Sequence, residues 1–352
     1  MAGIAREIAS QVKAAYEARM PLNILGAGTK SFLGQPVENA ESLHVTGHSG
    51  IIEYDPAELV LVARAGTPLQ EIENQLASHD QMLGFEPPFV NKGATLGGAV
   101  ATGLAGPRRA YSGAVRDFIL GAGFINGKGE SITAGGKVMK NVAGFDLFRP
   151  MARSMGTLGV MLNISLRVIP APEAEMTLLH EENNELAALE KMNLWAGKTQ
   201  TISAACWDGE TIRIRLSGSE AGIRHGRVQI GGQELPRCSY WQDLNNFSLD
   251  FFQQQQPLWR VSVAPMSAPL GEYQHQLIDW GGAQRWIKSD APPETIRMRA
   301  SQLGGHAECF SQDQSILTYH PLERAALGLQ QRFKAAFDPA GILNPGRIYP
   351  RL

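Results

Sequence analysis

Three glycine-rich stretches in the first half of the chain carry residue types suited to phosphates and flat ligands. Gly26-Ala27-Gly28-Thr29-Lys30-Ser31 follows the apolar run Pro21-Leu22-Asn23-Ile24-Leu25. It reads as a loop leaving a buried strand, and the free N–H groups of such a loop can cradle a diphosphate. Gly93-Ala94-Thr95-Leu96-Gly97-Gly98-Ala99-Val100-Ala101-Thr102-Gly103 places four glycines among eleven positions, leaving a surface with almost no side-chain bulk on which a flat or extended ligand can lie. Gly156-Thr157-Leu158-Gly159-Val160 is a third small-residue turn leading into a strand. Each stretch taken alone is also what a tight turn requires. A nicotinamide-binding Rossmann loop would need a third glycine at Ser31 and a helix starting in the loop, and Phe32-Leu33-Gly34-Gln35-Pro36 is a poor helix start.

The elements that position these stretches are α/β in texture. Ile4, Ile8, Val12 and Tyr16 recur every four residues among charges and predict an amphipathic N-terminal helix packing on its own domain. Ile51 to Tyr54 and Leu59 to Arg64 read as strands, and Thr67-Pro68 as an N-cap and first-turn proline opening a helix through Leu69, Ile72 and Leu76. Phe118-Ile119-Leu120 and the run from Val160 to Ile169 are further apolar stretches, and Pro170-Ala171-Pro172 is the expected domain boundary. Residues 173–320 read as a second α+β domain. A helix from Leu322 to Phe337, stopped by Asp338-Pro339, and the turn-rich Asn344-Pro345-Gly346-Arg347 form a tail, 321–352, expected to return to the first domain.

At 352 residues the chain exceeds a single core, so a domain over 1–172 and another over 173–320 are expected. A net charge of −2 with scattered lysines and arginines speaks against nucleic acid as a partner. Cys206, Cys238 and Cys309 share no CxxC spacing, which argues against a disulfide scaffold and against an iron–sulfur or zinc cluster held by this chain alone; no metal is expected. No run approaches the ~18–20 apolar residues of a membrane span, so a cytoplasmic protein is expected.

The order and spacing of the three stretches resemble the FAD-binding domain of the p-cresol methylhydroxylase and vanillyl-alcohol oxidase superfamily. The proline pair Pro87-Pro88, the segments Val115 to Gly121 and Lys140 to Leu147, and the closing Ile342-Leu343-Asn344-Pro345-Gly346-Arg347 are similar to landmarks of that family. Glu86-Pro87-Pro88 with Leu104 to Arg109, and Ile278-Asp279-Trp280-Gly281-Gly282-Ala283, narrow the resemblance over the whole chain to the FAD-binding subunits of bacterial glycolate oxidases.

The resemblance implies an α+β fold: a two-lobed FAD-binding domain of the p-cresol methylhydroxylase type plus an α+β cap domain with an antiparallel sheet. It assigns FAD to Gly26, Ala27, Gly28, Thr29 and Lys30 of the first loop, to Pro88, and to Gly93, Thr95, Leu96, Gly97, Gly98, Ala101, Thr102 and Gly103 of the second stretch. Val115, Asp117, Lys140, Gly156, Leu158, Gly159 and Val160 complete the set. It also implies that the chain works beside a catalytic FAD-containing subunit and an iron–sulfur subunit, oxidising glycolate to glyoxylate and passing electrons to quinone, with peripheral contact at the inner face of the cell membrane through the complex.

Oxidation of a 2-hydroxy acid needs a cation for the carboxylate, a base for the hydroxyl proton and a flavin to take the hydride. The histidine-rich segment of the catalytic relatives is missing: Gly304-Gly305-His306-Ala307-Glu308-Cys309-Phe310 has a single histidine. The remaining catalytic candidates are Lys140, Arg347 and His306, with Lys137, Arg109 and Tyr111 behind them. Arg347 stands where relatives commonly have lysine, which keeps the charge and changes its geometry. His44 and His48, in an expected surface strand edge, are the histidines nearest the first loop. Two other readings stay open on these residues: a self-sufficient oxidase of another 2-hydroxy acid, and a non-catalytic assembly subunit that keeps the flavin domain as scaffold.

Overall fold

The computed structural model describes residues 2–136, 146–236, 238–271, 273, 275–310, 315–350 and 352; Lys137 and Lys140 lie outside the described residues. Along the chain run α1 (Ala2–Ala18), β1 (Leu22–Leu25), β2 (Glu41–His44), β3 (Ile51–Asp55), β4 (Val60–Arg64), α2 (Leu69–Ala77), β5 (Gln81–Met82) and α3 (Leu96–Thr102). Then follow the short helices α4 (Arg109–Ser112) and α5 (Val115–Phe118), and β6 (Ile119–Ile125), β7 (Ser131–Gly135), β8 (Val160–Arg167) and β9 (Ile169–Pro170). The rest comprises β10 (Ala174–Glu181), α6 (Glu185–Ala196), β11 (Ile202–Trp207), β12 (Thr211–Gly218), α7 (Glu220–Ile230), β13 (Gln233–Leu235), α8 (Tyr240–Asn245), β14 (Leu258–Ser262), β15 (Gln276–Asp279), β16 (Gln284–Lys288), α9 (Pro293–Gln302), β17 (His306–Cys309) and α10 (Arg324–Phe337).

These elements form two compact units, one from residues up to 104, 114–170 and 321 onwards, the other from 105–113 and 171–320. The first holds an antiparallel sheet of order β3-β4-β8-β6-β7, and a parallel pair β1-β2 whose Leu22 bridges to Leu343 near the C-terminus. Alpha-helical periodicity explains α1: Ile8, Val12 and Ala15 fall on one face and enter a core with Leu22, Leu43, Val160 and Leu343. The second unit is an eight-stranded antiparallel sheet, β13-β10-β12-β11-β15-β16-β14-β17. Helices α6 and α7 bring Leu189, Met192, Trp195 and Ile223 to one part of it, and α9 brings Ile296 and Ala300 to Trp259, Val261 and Ile287 elsewhere. The α+β class with an antiparallel sheet is thus as expected.

Several local expectations change. Helix α2 is capped by Pro68, and the Thr67 hydroxyl instead accepts a hydrogen bond from Gly50 N at 2.9 Å. The run to Ile169 is broken after Arg167, because Ile169-Pro170 leaves to pair with β5. Phe118 closes a helical turn before β6 rather than starting the strand, and the C-terminal helix begins at Arg324 rather than Leu322. His44 is exposed on β2, but His48 is buried, against the expectation of a surface edge. Its burial pulls its pKa below the ordinary value, helped by the nearby Arg64 charge.

Candidate functional site

Within the first unit the three glycine stretches meet. A Cβ on Gly26 would stand 2.8 Å from Thr95 Oγ1, so the first loop can lie against the second stretch only because position 26 has no side chain. Thr95 in turn caps α3, its hydroxyl accepting from Gly98 N at 3.2 Å. The second stretch is therefore a helix start and not an extended platform. Met155 N donates to Ala101 O at 2.9 Å and Arg153 N to Val100 O at 3.0 Å, which ties the chain entering the third stretch to α3. Gly156, with φ +75°, comes within 2.8 Å of Asn344 Nδ2 and 3.5 Å of Ile24 Cδ1, measured from a Cβ built on it.

The predicted cofactor residues divide by the direction they face. Leu96 and Gly97 turn inward, Gly97 so tightly that a Cβ would sit 2.9 Å from Ala65. Thr102 is also buried, its hydroxyl donating to Gly98 O. Gly98, Ala101 and Gly103 are half-buried on the other side of α3. Ala27 and Gly28 are exposed, Gly28 with φ +72° and nothing within 4 Å of a built Cβ, and Gly93 is likewise open. Gly159 packs against Phe124 and Val160 is core, so both serve the sheet, while Leu158 is half-buried. Pro88 and Val115 are buried, and Asp117 accepts from Ala114 N at 2.9 Å, closing the start of α5.

Lys30 is the electrostatic centre of this region. It is only 6% exposed. Its ammonium contacts Thr29 Oγ1 at 3.4 Å and the face of Phe89, whose centroid lies 5.6 Å away. Among the described residues no carboxylate pairs with it. Burial alone pulls its pKa from 10.5 to about 8. A buried cation without a counter-ion is costly, and it is the arrangement expected where an anionic ligand completes the site. Phe89 reaches it from the Pro87-Pro88 turn at φ +66° and also receives Lys92, at 5.2 Å from its centroid. Phe89 and its backbone twist carry no sequence signal.

The C-terminal residues knit these loops together, a role the sequence did not reveal. Asn344 accepts from Ile24 N at 2.7 Å and donates to Met155 O at 2.6 Å, joining β1 to the approach of the third stretch. Lys334 of α10 donates to Thr157 O at 2.8 Å and Leu343 O at 2.7 Å and pairs with Asp338 at 2.8 Å. Asp338 accepts from Ile342 N and Leu343 N. Arg347 sits in the same network, its guanidinium on the carbonyls of Gln35 and Ser31.

The other catalytic candidates belong to the second unit. His306 opens β17 beside Ser262 of β14, half-buried. Nearby, His320 Nδ1 accepts from Ala307 N at 3.2 Å. Trp280 sits at φ +54°, a strained left-handed backbone for a bulky side chain, and is followed by Gly281 and Gly282 at φ +63° and +108°, which glycine adopts freely. Asp279 accepts from Trp280 N, Trp280 Nε1 donates to Gly106 O, and Arg109 stacks 4.5 Å over the indole. Tyr111 has its hydroxyl pKa pushed well up by burial first and by the Asp279 charge second. Among the described residues, no three His, Cys, Asp or Glu side chains are grouped to hold a metal ion.

The structural fit to FAD is good on one observation above all: a glycine-lined loop, open on one side, carrying a buried ammonium that has no counter-ion among the described residues. Comparison with known proteins agrees. Residues 2–135 match the family described as an FAD binding domain. The chain is 44% identical to the glycolate oxidase subunit GlcE of Escherichia coli (strain K12), over 97% of this chain and 96% of that protein. The chain belongs to the GlcE family. More distant similarity, at 30% identity, links it to the glycolate oxidase subunit GlcD of Bacillus subtilis (strain 168), over 62% of this chain and 46% of that one. The same identity links it to a D-lactate dehydrogenase of Anaerostipes hadrus, over 49% and 36%. Its fold is that of alkyldihydroxyacetonephosphate synthase, with TM-score 0.70 at 15% identity over 96% of this chain and 74% of that one. Among the described residues no helix is long and apolar enough to cross a membrane.

Proposed function

We propose that this chain is the FAD-carrying E subunit of a glycolate-oxidising complex, with the cofactor held by the glycine stretches of residues 1–172 and by the tail 321–352. The reading rests on the packing of those stretches against one another and on the buried Lys30 ammonium in the first loop. Bound FAD would supply a two-electron acceptor for a hydride and a route for single electrons onward. Gly26, Ala27, Gly28 and Thr29 would present backbone N–H groups to the diphosphate, and Lys30 would neutralise it. Gly98, Ala101 and Gly103, lacking bulk, would let a planar ring system approach α3. Residues 173–320 serve as the cap domain.

The chemical step on glycolate is assigned to a partner catalytic FAD subunit, and onward transfer to an iron–sulfur subunit and then quinone. Support comes from the segment Gly304 to Phe310, which carries one histidine and lacks the histidine-rich motif of the catalytic relatives. The complex would sit in the cytoplasm, touching the inner membrane face only peripherally. The test follows flavin absorbance when glycolate is added anaerobically to the isolated chain and to the chain co-purified with its partners. Bleaching in the complex alone supports the assignment. Rapid bleaching of the isolated chain would instead make it a self-sufficient dehydrogenase, and a folded chain that never takes up FAD would make it an assembly subunit.

A further inference from the structure

We infer that Arg347 is a positioning residue that sets the first glycine loop through geometry, and that its charge is not what the FAD site uses. The inference rests on the proposed FAD site. Arg347 is bonded to the loop following the glycine turn at three points: Nη1 donates to Gln35 O at 2.9 Å, Nη2 donates to Ser31 O at 3.2 Å, and its own carbonyl accepts from Gln35 N at 2.9 Å. The two guanidinium contacts reach carbonyls four residues apart in sequence. A planar fork can span them, whereas an ammonium on a flexible stem holds one such geometry poorly.

From that clamp to the proposed diphosphate contacts is one further bond. Ser31 N donates to Gly28 O at 3.1 Å, and Leu33 N to Lys30 O at 3.1 Å. Gly34 makes the approach possible: at φ +75°, a Cβ there would lie 2.6 Å from Arg347 O. The other side of Arg347 is fixed by its own turn, Arg347 N donating to Asn344 O at 3.2 Å, and Asn344 is the residue that joins β1 to the third stretch. Arg347 thus fixes the position of Gly28 and Lys30 relative to the rest of the cradle. Nη1 and Nη2 are both turned onto backbone oxygens of the loop, so the guanidinium contributes to cofactor binding through the geometry it imposes there.

The conservative variant separates the two roles. Arg347→Lys and Arg347→Ala are purified without flavin and titrated with FAD, the unfolding midpoint of each apoprotein is recorded, and the potential of the flavin bound at saturation is measured. A clamp predicts that both variants weaken FAD binding by about tenfold, with the lysine no better than a few-fold above alanine, apoprotein midpoints close to wild type, and an unchanged flavin potential. Gly34→Ala, which pushes the same contact apart from the other side, should weaken FAD binding in the same way. A lysine variant that binds FAD like wild type, or an alanine variant that shifts the flavin potential while lysine restores it, would overturn the inference in favour of a charge role. Lys30→Met is run alongside: if it too leaves FAD binding unchanged, the fault lies with the proposed FAD site, and if it alone weakens binding, only the clamp is wrong.

Discussion

Replacing Lys30 with methionine should stabilise the flavin-free protein and weaken its grip on FAD, two effects of opposite sign from one side chain. The drop of the Lys30 pKa from 10.5 to about 8 by burial corresponds to a cost of about 3 kcal/mol for keeping the ammonium charged inside the fold at neutral pH. Methionine of similar length removes that cost, and it also removes the contact with Phe89, for which about 0.5–1 kcal/mol is a reasonable size. The net gain in apoprotein stability at pH 7 is therefore about 2 kcal/mol.

Because the folded pKa lies below the unfolded one, the cost is fully present below pH 8 and is relieved as pH rises from about 8 toward 10.5. The stability gap between variant and wild type should close over that window. The anionic ligand loses a charge-assisted contact of ~1.5–3 kcal/mol, or roughly a ten- to hundredfold rise in Kd for FAD. Wild-type affinity for FAD should also fall as pH passes about 8, with the variant flat there. Urea unfolding of the apoproteins from pH 7 to 10, beside FAD titration by fluorescence quenching, reads both. A variant that is less stable than wild type at pH 7 and binds FAD equally well would refute the reasoning.

Asn344→Ala leaves Ile24 N and Met155 O without their partner and should cost about 2–4 kcal/mol in urea unfolding, together with weaker FAD retention on gel filtration. Gly97→Ala presses a methyl to 2.9 Å from Ala65, and thermal unfolding should show a loss of ~1–3 kcal/mol. Lys288→Met orphans the carbonyls of Phe252, Gln254 and Gln256, all now satisfied by its ammonium, and calorimetry should show about 1–3 kcal/mol of destabilisation.

The sequence exposed what depends on local chemistry. The strand before Gly26 is an apolar run meeting a glycine turn, and the α1 stripe follows helical periodicity. It hid what depends on distant partners. Lys30 is an ordinary lysine in sequence, and its burial against Phe89, carried in by a left-handed backbone that no local residue demands, shows only in the fold. Arg347 carried a visible charge, but its guanidinium also bonds backbone carbonyls more than three hundred positions away. Asn344 looked like one residue of a turn and is a fork between two glycine stretches. Glycine positions showed where space is needed, without showing which side of α3 faces its own core and which stays open.

The most direct measurement is the flavin content of the folded, purified chain, released by denaturation, identified as FAD or FMN and counted against protein, then repeated for Gly26→Val. The account predicts FAD at about one per chain in the wild type, and loss of most of it in the variant, whose side chain would displace Thr95 Oγ1 from the space it now occupies 2.8 Å from a built Cβ. A well-folded wild type that neither carries FAD nor takes it up from solution, or a variant that holds it undiminished, would contradict the account.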